Sequence, residues 1–289
     1  QLLTQADVAC YTAKELGRNR VHVYQPGDTE TLRRQSEVLG AAGLREAIER
    51  DLFRLHYQPI VSLAAQPFQT VRYEALLRVA HHGNAQREGE LVLPAAFIPA
   101  AERYGLMAAI DRWVIRNALL EYRNGIGQAG GMLAINLSGH SLSDETLLDF
   151  IDSQFAEHSC PPQRVCFEIT ETAAIKNLRP ALALMSALKR HGCQLALDDF
   201  GSGLSSFQYL KTLPVDYLKI DGSFVSEMQE NPRSDALVAA INQMSHALGI
   251  ETVAEYVSSQ ALVDRLCTLG VDHAQGYFFG KPAPWSKSA

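Results

Sequence analysis

The sequence has few cysteines, little excess charge and no long apolar run, and each shortage excludes a class of protein. Its five cysteines form no CxxC pair, so a disulfide framework is not expected and the thiols suit a reducing compartment. A formal net charge of -6 over 289 residues argues against binding of polymeric nucleic acid. No stretch is long and apolar enough to span a membrane, and no signal peptide is recognisable. We therefore expect a cytoplasmic globular domain without membrane contact in this segment.

The first part of the chain looks separate from the rest. A helix over 6–16, a turn and a short strand over 21–24 are too small to bury a core alone. A helix is predicted over 31–54, which is rich in Leu, Ala, Glu and Arg. Because the chain begins at Gln1 rather than Met, we expect a longer protein, which leaves a membrane anchor on the remainder open.

Beyond residue 54, apolar runs typical of strands alternate with amphipathic helices. The predicted strands cover 55–63, 70–79, 132–137, 165–170, 194–199, 216–220, 250–254 and 271–276. Eight strands that alternate with helices favour an α/β fold, a (β/α)₈ TIM-like barrel, over an open sheet. No helix is predicted between the first two strands, so we expect the first strand to be antiparallel to the second.

Polar side chains lie at or near the ends of the predicted strands, apart from Glu74, which lies inside the second strand. A barrel of this kind carries its working groups at the carboxyl ends of its strands. The groups are Glu74, Asn136, Glu168, Asp198, Asp199, Lys219, Glu255 and Gln275. Carboxylates gathered this densely would repel one another unless cations lay between them. Mg²⁺ and Mn²⁺ prefer oxygen ligands. Two such ions about 3.5–4 Å apart clamp the attacking and leaving oxygens in phosphoryl displacement.

Other roles stay open for the aspartate pair, for Lys219 and for Glu255. The pair 198–199 could cap the following Asp-Phe-Gly-Ser-Gly turn. Lys219 could form an ion pair with Asp216 or Asp221 instead of facing a metal. Glu255 could bind a second metal through water, act as a general base or merely be solvated. The number of such groups at matching strand ends favours the metal site.

Several ordered motifs resemble those of EAL-domain cyclic di-GMP phosphodiesterases over about residues 36–283. They are Gln58-Pro59-Ile60, Glu74-Ala75-Leu76-Leu77-Arg78, Phe97-Ile98-Pro99, Asn136-Leu137-Ser138, Glu168-Ile169-Thr170-Glu171, Asp198-Asp199-Phe200-Gly201, Lys219-Ile220-Asp221, Ala254-Glu255 and Gln275-Gly276-Tyr277. The N-terminal piece resembles the end of a GGDEF diguanylate cyclase domain but lacks the cyclase motif. We assign 1–30 to a GGDEF-like remnant and linker, 31–285 to the EAL phosphodiesterase barrel and 286–289 to a tail.

The resemblance implies hydrolysis of cyclic di-GMP to linear pGpG by in-line attack of a metal-activated water, with two Mg²⁺ or Mn²⁺ ions and a homodimer. It implies that the metal ligands are Glu74, Asn136, Glu168, Asp198 and Asp199. The implied catalytic groups are Lys219 at the water, Glu255 beside it and Glu171 as anchor of the 199–208 loop. The implied substrate contacts are Gln58, Leu77, Arg78, Asn136, Gln275 and Tyr277.

Three positions depart from the family pattern. Ser258 stands where a second Glu is frequent, Tyr256 where Gly is frequent, and Val79 where Trp is frequent. These departures keep an alternative open, a non-hydrolysing or weakly active cyclic di-GMP receptor or regulatory dimer module. Because no implied metal ligand is missing, the sequence favours an active phosphodiesterase.

Overall fold

The structure, a computed structural model, describes part of the chain in two compact units. The described residues are 21, 23, 41–64, 66–80, 91–201 and 209–285. The expected GGDEF-like remnant, apart from two residues, lies outside them, as do the tail 286–289 and most of the 199–208 loop. One unit comprises the described parts of Gln1–Phe53 and Arg78–Leu106, and the other those of Arg54–Leu77 and Met107–Ala289.

The smaller unit contains two helices, α1 (Ala41–Glu49) and α2 (Pro94–Arg103), and the short strand β3 (Leu91–Val92). β3 pairs antiparallel with the end of the preceding strand at 79–80. The ring of Phe53 packs against that of Phe97, and both are fully buried. The predicted helix over 31–54 is wrong at its C-terminal end. The helix stops at Glu49, because 53–62 alternates buried and exposed side chains and joins a sheet.

A closed barrel, most of it in the larger unit, confirms the predicted fold. Its strands are β1 (Phe53–Ser62), β2 (Gln69–Ala80), β4 (Leu133–Leu137), β5 (Val165–Thr170), β6 (Gln194–Phe200), β7 (Tyr217–Ile220), β8 (Glu251–Ala254) and β9 (His273–Gln275). They are hydrogen-bonded in the order β1-β9-β8-β7-β6-β5-β4-β2, and pairing of β1 with β2 closes the ring. β1 is antiparallel to β9, whereas the pairs from β2 through β9 are parallel. The predicted reversal of the first strand is confirmed.

Helices connect the parallel strands. They are α3 (Met107–Glu121), α4 (Leu147–His158), α5 (Glu171–Lys176), α6 (Leu178–His191), α7 (Gly222–Glu227), α8 (Pro232–Ala247) and α9 (Gln260–Leu269). α6 shows why they form: Ala181, Leu184, Met185 and Leu188 recur at helical spacing and are buried. Gly192, with φ 96°, ends the helix in the left-handed region. None of the described helices is long and apolar enough to cross a membrane.

The inward side chains form layers that place the polar groups at one end. An apolar layer inside the barrel contains Ile60, Ala134, Cys166, Ala196, Tyr217 and Val253. Side chains on a strand return to the same face every second residue. The next inward positions toward the carboxyl ends of the parallel strands are therefore Asn136, Glu168, Asp198, Lys219 and Glu255. The apolar layer thus closes the floor beneath a polar mouth.

Candidate metal centre

Lys219 lies at the centre of the polar mouth and contacts four carboxylates. Its Nζ is 2.7 Å from Oε2 of Glu168, 3.0 Å from Oε1 of Glu255, 3.2 Å from Oδ1 of Asp198 and 3.5 Å from Oε2 of Glu74. The lysine side chain is only 1% exposed. A single ammonium therefore gathers acidic groups from β2, β5 and β6 and from the residue that follows β8.

The simpler role considered for Lys219 is wrong. Asp216 accepts instead from Nζ of Lys189, at 2.6 and 2.9 Å. Asp221 caps α7 and accepts from the backbone N–H of Ser223 at 2.8 Å. The ion pairs of Lys219 are instead with Glu74, Glu168, Asp198 and Glu255.

Glu74 is held by amide donors as well as by the lysine. Asn136 donates from Nδ2 to Oε1 at 2.7 Å, and Gln275 donates from Nε2 to Oε2 at 2.6 Å. Gln275 Nε2 also lies 3.2 Å from Oε1 of Gln58. Burial favours the neutral acid, but the charge of Lys219 and the amide donors hold the pKa of Glu74 below its ordinary value. Glu74 is therefore an anion ready to bind a cation.

A bulge in β6 brings both aspartates to the mouth. The pairing of β6 with β7 shifts register between Leu197 and Phe200. Asp199 has φ 55°, in the left-handed region. Without these two features, adjacent strand residues would point to opposite faces. The carboxylate oxygens of Asp198, Asp199 and Glu255 instead lie within 4.8 Å of one another and could hold a metal ion.

The electrostatic balance of the mouth favours added positive charge. Burial, with the charges of Glu74 and Asp198 added, raises the pKa of Glu168 to about 8 despite Lys219. Burial raises the pKa of Glu255 well above its ordinary value. The pKa of Asp199 is raised to about 6, first by partial burial and then by the charge of Asp198. One lysine does not neutralise these acids, and their oxygen donors suit Mg²⁺ or Mn²⁺.

Glu171 connects the two described ends of the loop that follows Asp199. Its Oε2 accepts from the backbone N–H of Gly201 at 2.9 Å, and its Oε1 accepts from the hydroxyl of Tyr209. Burial and the hydrogen bond to Glu171 raise the pKa of Tyr209 above its ordinary range. The carboxylate therefore binds Gly201 and Tyr209, the two residues that flank 202–208 in the sequence.

The residues expected to contact substrate differ in their exposure. Gln58 is buried and donates from Nε2 to the carbonyl of Gly280 at 3.0 Å. Leu77 is also buried, and so is Arg78, which belongs to the smaller unit. Tyr277 is 65% exposed. The structure therefore leaves Tyr277 accessible to a ligand, whereas Gln58 and Leu77 lie within the protein.

Sequence reasoning missed Asp111, a buried carboxylate on α3. Its Oδ2 accepts from the backbone N–H of Ser138 at 2.9 Å and from the hydroxyl of Ser141 at 2.6 Å. Both serines lie within the five residues that follow Asn136, so Asp111 holds the backbone just beyond the candidate metal centre. The sequence does carry one signal for it: Asp111 lies beside Ile110 on the buried face of α3, where an aspartate is rare unless it has a partner.

Comparison with known proteins agrees with this geometry. The EAL domain family matches residues 41–282, and the chain belongs to that family. It is similar to cyclic di-GMP phosphodiesterase PdeB of Shewanella oneidensis, with 42% identity over 98% of this chain and 33% of PdeB. It is also similar to the bifunctional diguanylate cyclase/cyclic di-GMP phosphodiesterase MucR of Pseudomonas aeruginosa, with 34% identity over 98% of this chain and 40% of MucR. The chain thus spans well under half the length of these relatives.

Solved structures show the same fold. The PaMucR phosphodiesterase in complex with c-di-GMP has a TM-score of 0.77 and 35% identity, and the match covers 84% of this chain and 96% of that one. The FimX EAL domain from Pseudomonas aeruginosa, bound to c-di-GMP, has a TM-score of 0.75 and 32% identity, over 85% of this chain and 98% of that one. In both cases, this chain matches nearly the whole of the solved chain.

Proposed function

We propose that this chain is a metal-dependent phosphodiesterase that hydrolyses cyclic di-GMP to linear pGpG. The observation that carries the proposal is the mouth of the barrel, where Lys219 contacts four buried or half-buried carboxylates. Family membership and the named activities of PdeB and MucR support the choice of substrate.

The donor set fits two divalent cations. Glu74, Asn136, Glu168 and Asp198 would hold one ion, and Asp198 with Asp199 would hold the other, next to Glu255. This assignment is supported by the cluster of Asp198, Asp199 and Glu255 oxygens. Bound Mg²⁺ or Mn²⁺ would supply charge neutralisation at the phosphoryl group and lower the pKa of a ligated water.

The chain's own residues perform the remaining tasks. Lys219, fixed by four acidic partners, provides a preorganised positive charge where a phosphoryl oxygen gains negative charge. Asn136 and Gln275 keep Glu74 ionised and in place through their amide donors. The buried apolar layer below gives these groups surroundings of lower dielectric constant than water, which strengthens each of these electrostatic interactions.

Substrate contacts are proposed for the groups around this centre. Tyr277 is accessible for contact with a base. Gln275, which donates a hydrogen bond to Glu74, would contact the substrate beside that carboxylate. Gln58, Leu77 and Arg78 stay predictions as substrate contacts. The homodimer and the cytoplasmic location also stay predictions; light scattering at several protein concentrations tests the dimer.

The test is a hydrolysis assay with the purified chain, cyclic di-GMP and Mn²⁺ or Mg²⁺. We expect linear product, loss of product with chelator, and loss of product in Asp198→Asn, which removes charge but little volume. Asp264→Asn on the exposed face of α9 is the control and should keep full turnover. Binding of cyclic di-GMP without any product would contradict the proposal and indicate a receptor instead.

A further inference from the structure

Tyr256 has a backbone conformation that tyrosine rarely adopts. Its φ is 55°, in the left-handed region that favours glycine. It follows Glu255, whose carboxylate is 3.0 Å from Lys219. Hydrogen bonds from the next residue hold the segment, since Val257 donates its N–H to Gln275 at 3.0 Å and accepts from Phe278 at 3.1 Å. Such strain persists only where the surroundings impose it, and it concentrates at functional sites.

The ring of Tyr256 lies directly on the backbone of Gly222. A Cβ added at Gly222 would overlap ring atoms Cγ, Cδ2 and Cε2 of the tyrosine. Gly222 begins α7, two residues after the end of β7, which carries Lys219. The ring therefore lies at the rim of the mouth, between the ends of the strands that carry Lys219 and Glu255.

Tyr256 and Tyr277 both keep solvent-exposed surface beside the mouth. The residue is 46% exposed although its ring packs against Gly222. Tyr277 lies on the neighbouring segment, next to Phe278, and is 65% exposed. Two partly exposed tyrosines thus border a centre suited to phosphodiester chemistry. This arrangement matches a ligand whose phosphate is flanked by flat aromatic bases.

We infer that Tyr256 is a specificity-determining residue that stacks on a guanine base of the cyclic dinucleotide. The inference rests on the proposed function, because the base is placed by the phosphodiester at the metal centre. Stacking of a base on an aromatic side chain changes affinity by roughly 5- to 150-fold on removal of the ring. Loss of the ring should therefore raise KM for cyclic di-GMP, with a much smaller change in kcat.

Three variants separate stacking from a structural role. Tyr256→Phe keeps the ring and should keep KM within about twofold. Tyr256→Ala and Tyr256→Gly should raise KM, or Kd if binding alone is measured, by roughly 5- to 150-fold. Glycine also relieves the positive φ, so Tyr256→Gly should unfold at the same temperature as the parent or higher. Leu237→Ala on α8, at a residue that is also 46% exposed, is the control and should change neither quantity.

Bis(p-nitrophenyl) phosphate, which has no purine, provides the second readout. The preference for cyclic di-GMP over this substrate should fall with loss of the ring and recover with phenylalanine. Unchanged KM and Kd in both Tyr256→Ala and Tyr256→Gly would overturn the inference while the proposed function stands. Equal losses on the two substrates would also overturn it. A parent chain that neither binds nor cleaves cyclic di-GMP would refute the proposed function and the inference together.

Discussion

Replacement of Lys219 by methionine should destabilise the protein in chelator far more than in Mn²⁺. Methionine keeps most of the side-chain volume and removes the one ammonium that four carboxylates share. The acids would then repel one another at the largely buried mouth of the barrel. Divalent cations bound to the same oxygens would offset that repulsion.

The magnitude follows from the burial of the ion pairs. The lysine side chain is 1% exposed, and its two shortest contacts are 2.7 and 3.0 Å. Removing one partner of a buried ion pair costs about 3–5 kcal/mol. For a domain of roughly 200 residues, each kcal/mol shifts Tm by about 2–4 °C. We therefore expect Tm in chelator to fall by about 6–20 °C.

Differential scanning fluorimetry of parent and variant, each with EDTA and with Mn²⁺, measures the effect. A cation at 100 times its Kd stabilises by about 2.7 kcal/mol per site. Mn²⁺ should therefore recover much of the Tm that Lys219→Met loses. Lys189→Met is the matched control, because its 2.6 Å pair with Asp216 is partly exposed. It should cost at most about 1 kcal/mol and show no dependence on Mn²⁺.

Two results would refute this reasoning. A Tm for Lys219→Met within about 2 °C of the parent in EDTA would mean that the ion pairs do not stabilise the fold. A large fall that Mn²⁺ leaves unchanged would mean that the acids around Lys219 do not bind the cation.

Further predictions concern the supporting residues. Asp111→Ala should lower the free energy of unfolding in urea by about 2–4 kcal/mol, because Ser138 and Ser141 lose their shared acceptor; a loss under about 1 kcal/mol would contradict this. Burial raises the pKa of Asp111, so its contribution to stability is present below the unfolded-state pKa of about 4 and is lost as pH rises through the folded-state pKa. Asp111→Asn, which keeps an acceptor, should therefore gain stability relative to the parent between pH 4 and pH 7, and a difference that stays flat with pH would argue against it. Gly222→Ala should cost about 1–3 kcal/mol, because its new methyl overlaps the ring of Tyr256; an unchanged Tm would show that the ring moves aside freely.

The barrel could be predicted from the sequence because its signals are local. Apolar runs of strand length and amphipathic helices alternate along 55–276, and the missing helix after the first strand indicated its reversal. The positions of Asn136, Glu168, Lys219 and Glu255 at or after the ends of predicted strands then indicated that they share one end of the barrel. Strand boundaries were less accurate, as in β9, where 271–276 was predicted and His273–Gln275 is found.

Other features depend on three-dimensional pairing that no local pattern encodes. Alternation alone sends Asp198 and Asp199 to opposite faces, and only the register shift in β6 with a positive φ at Asp199 brings both to the mouth. Asp111 escaped notice because its partners lie about 30 residues away in sequence. The sequence marks Tyr256 only as a departure from glycine, because the contact of its ring with Gly222 depends on the pairing of β7 with β8.

The central claim is that the acids around Lys219 form a metal centre that cleaves a cyclic dinucleotide. Chromatographic detection of linear pGpG from cyclic di-GMP, in parallel with Mn²⁺, with EDTA and with Asp198→Asn in Mn²⁺, tests it most directly. We expect product in the first reaction and none in the other two. Product that persists in EDTA, or turnover by Asp198→Asn near that of the parent, would contradict it.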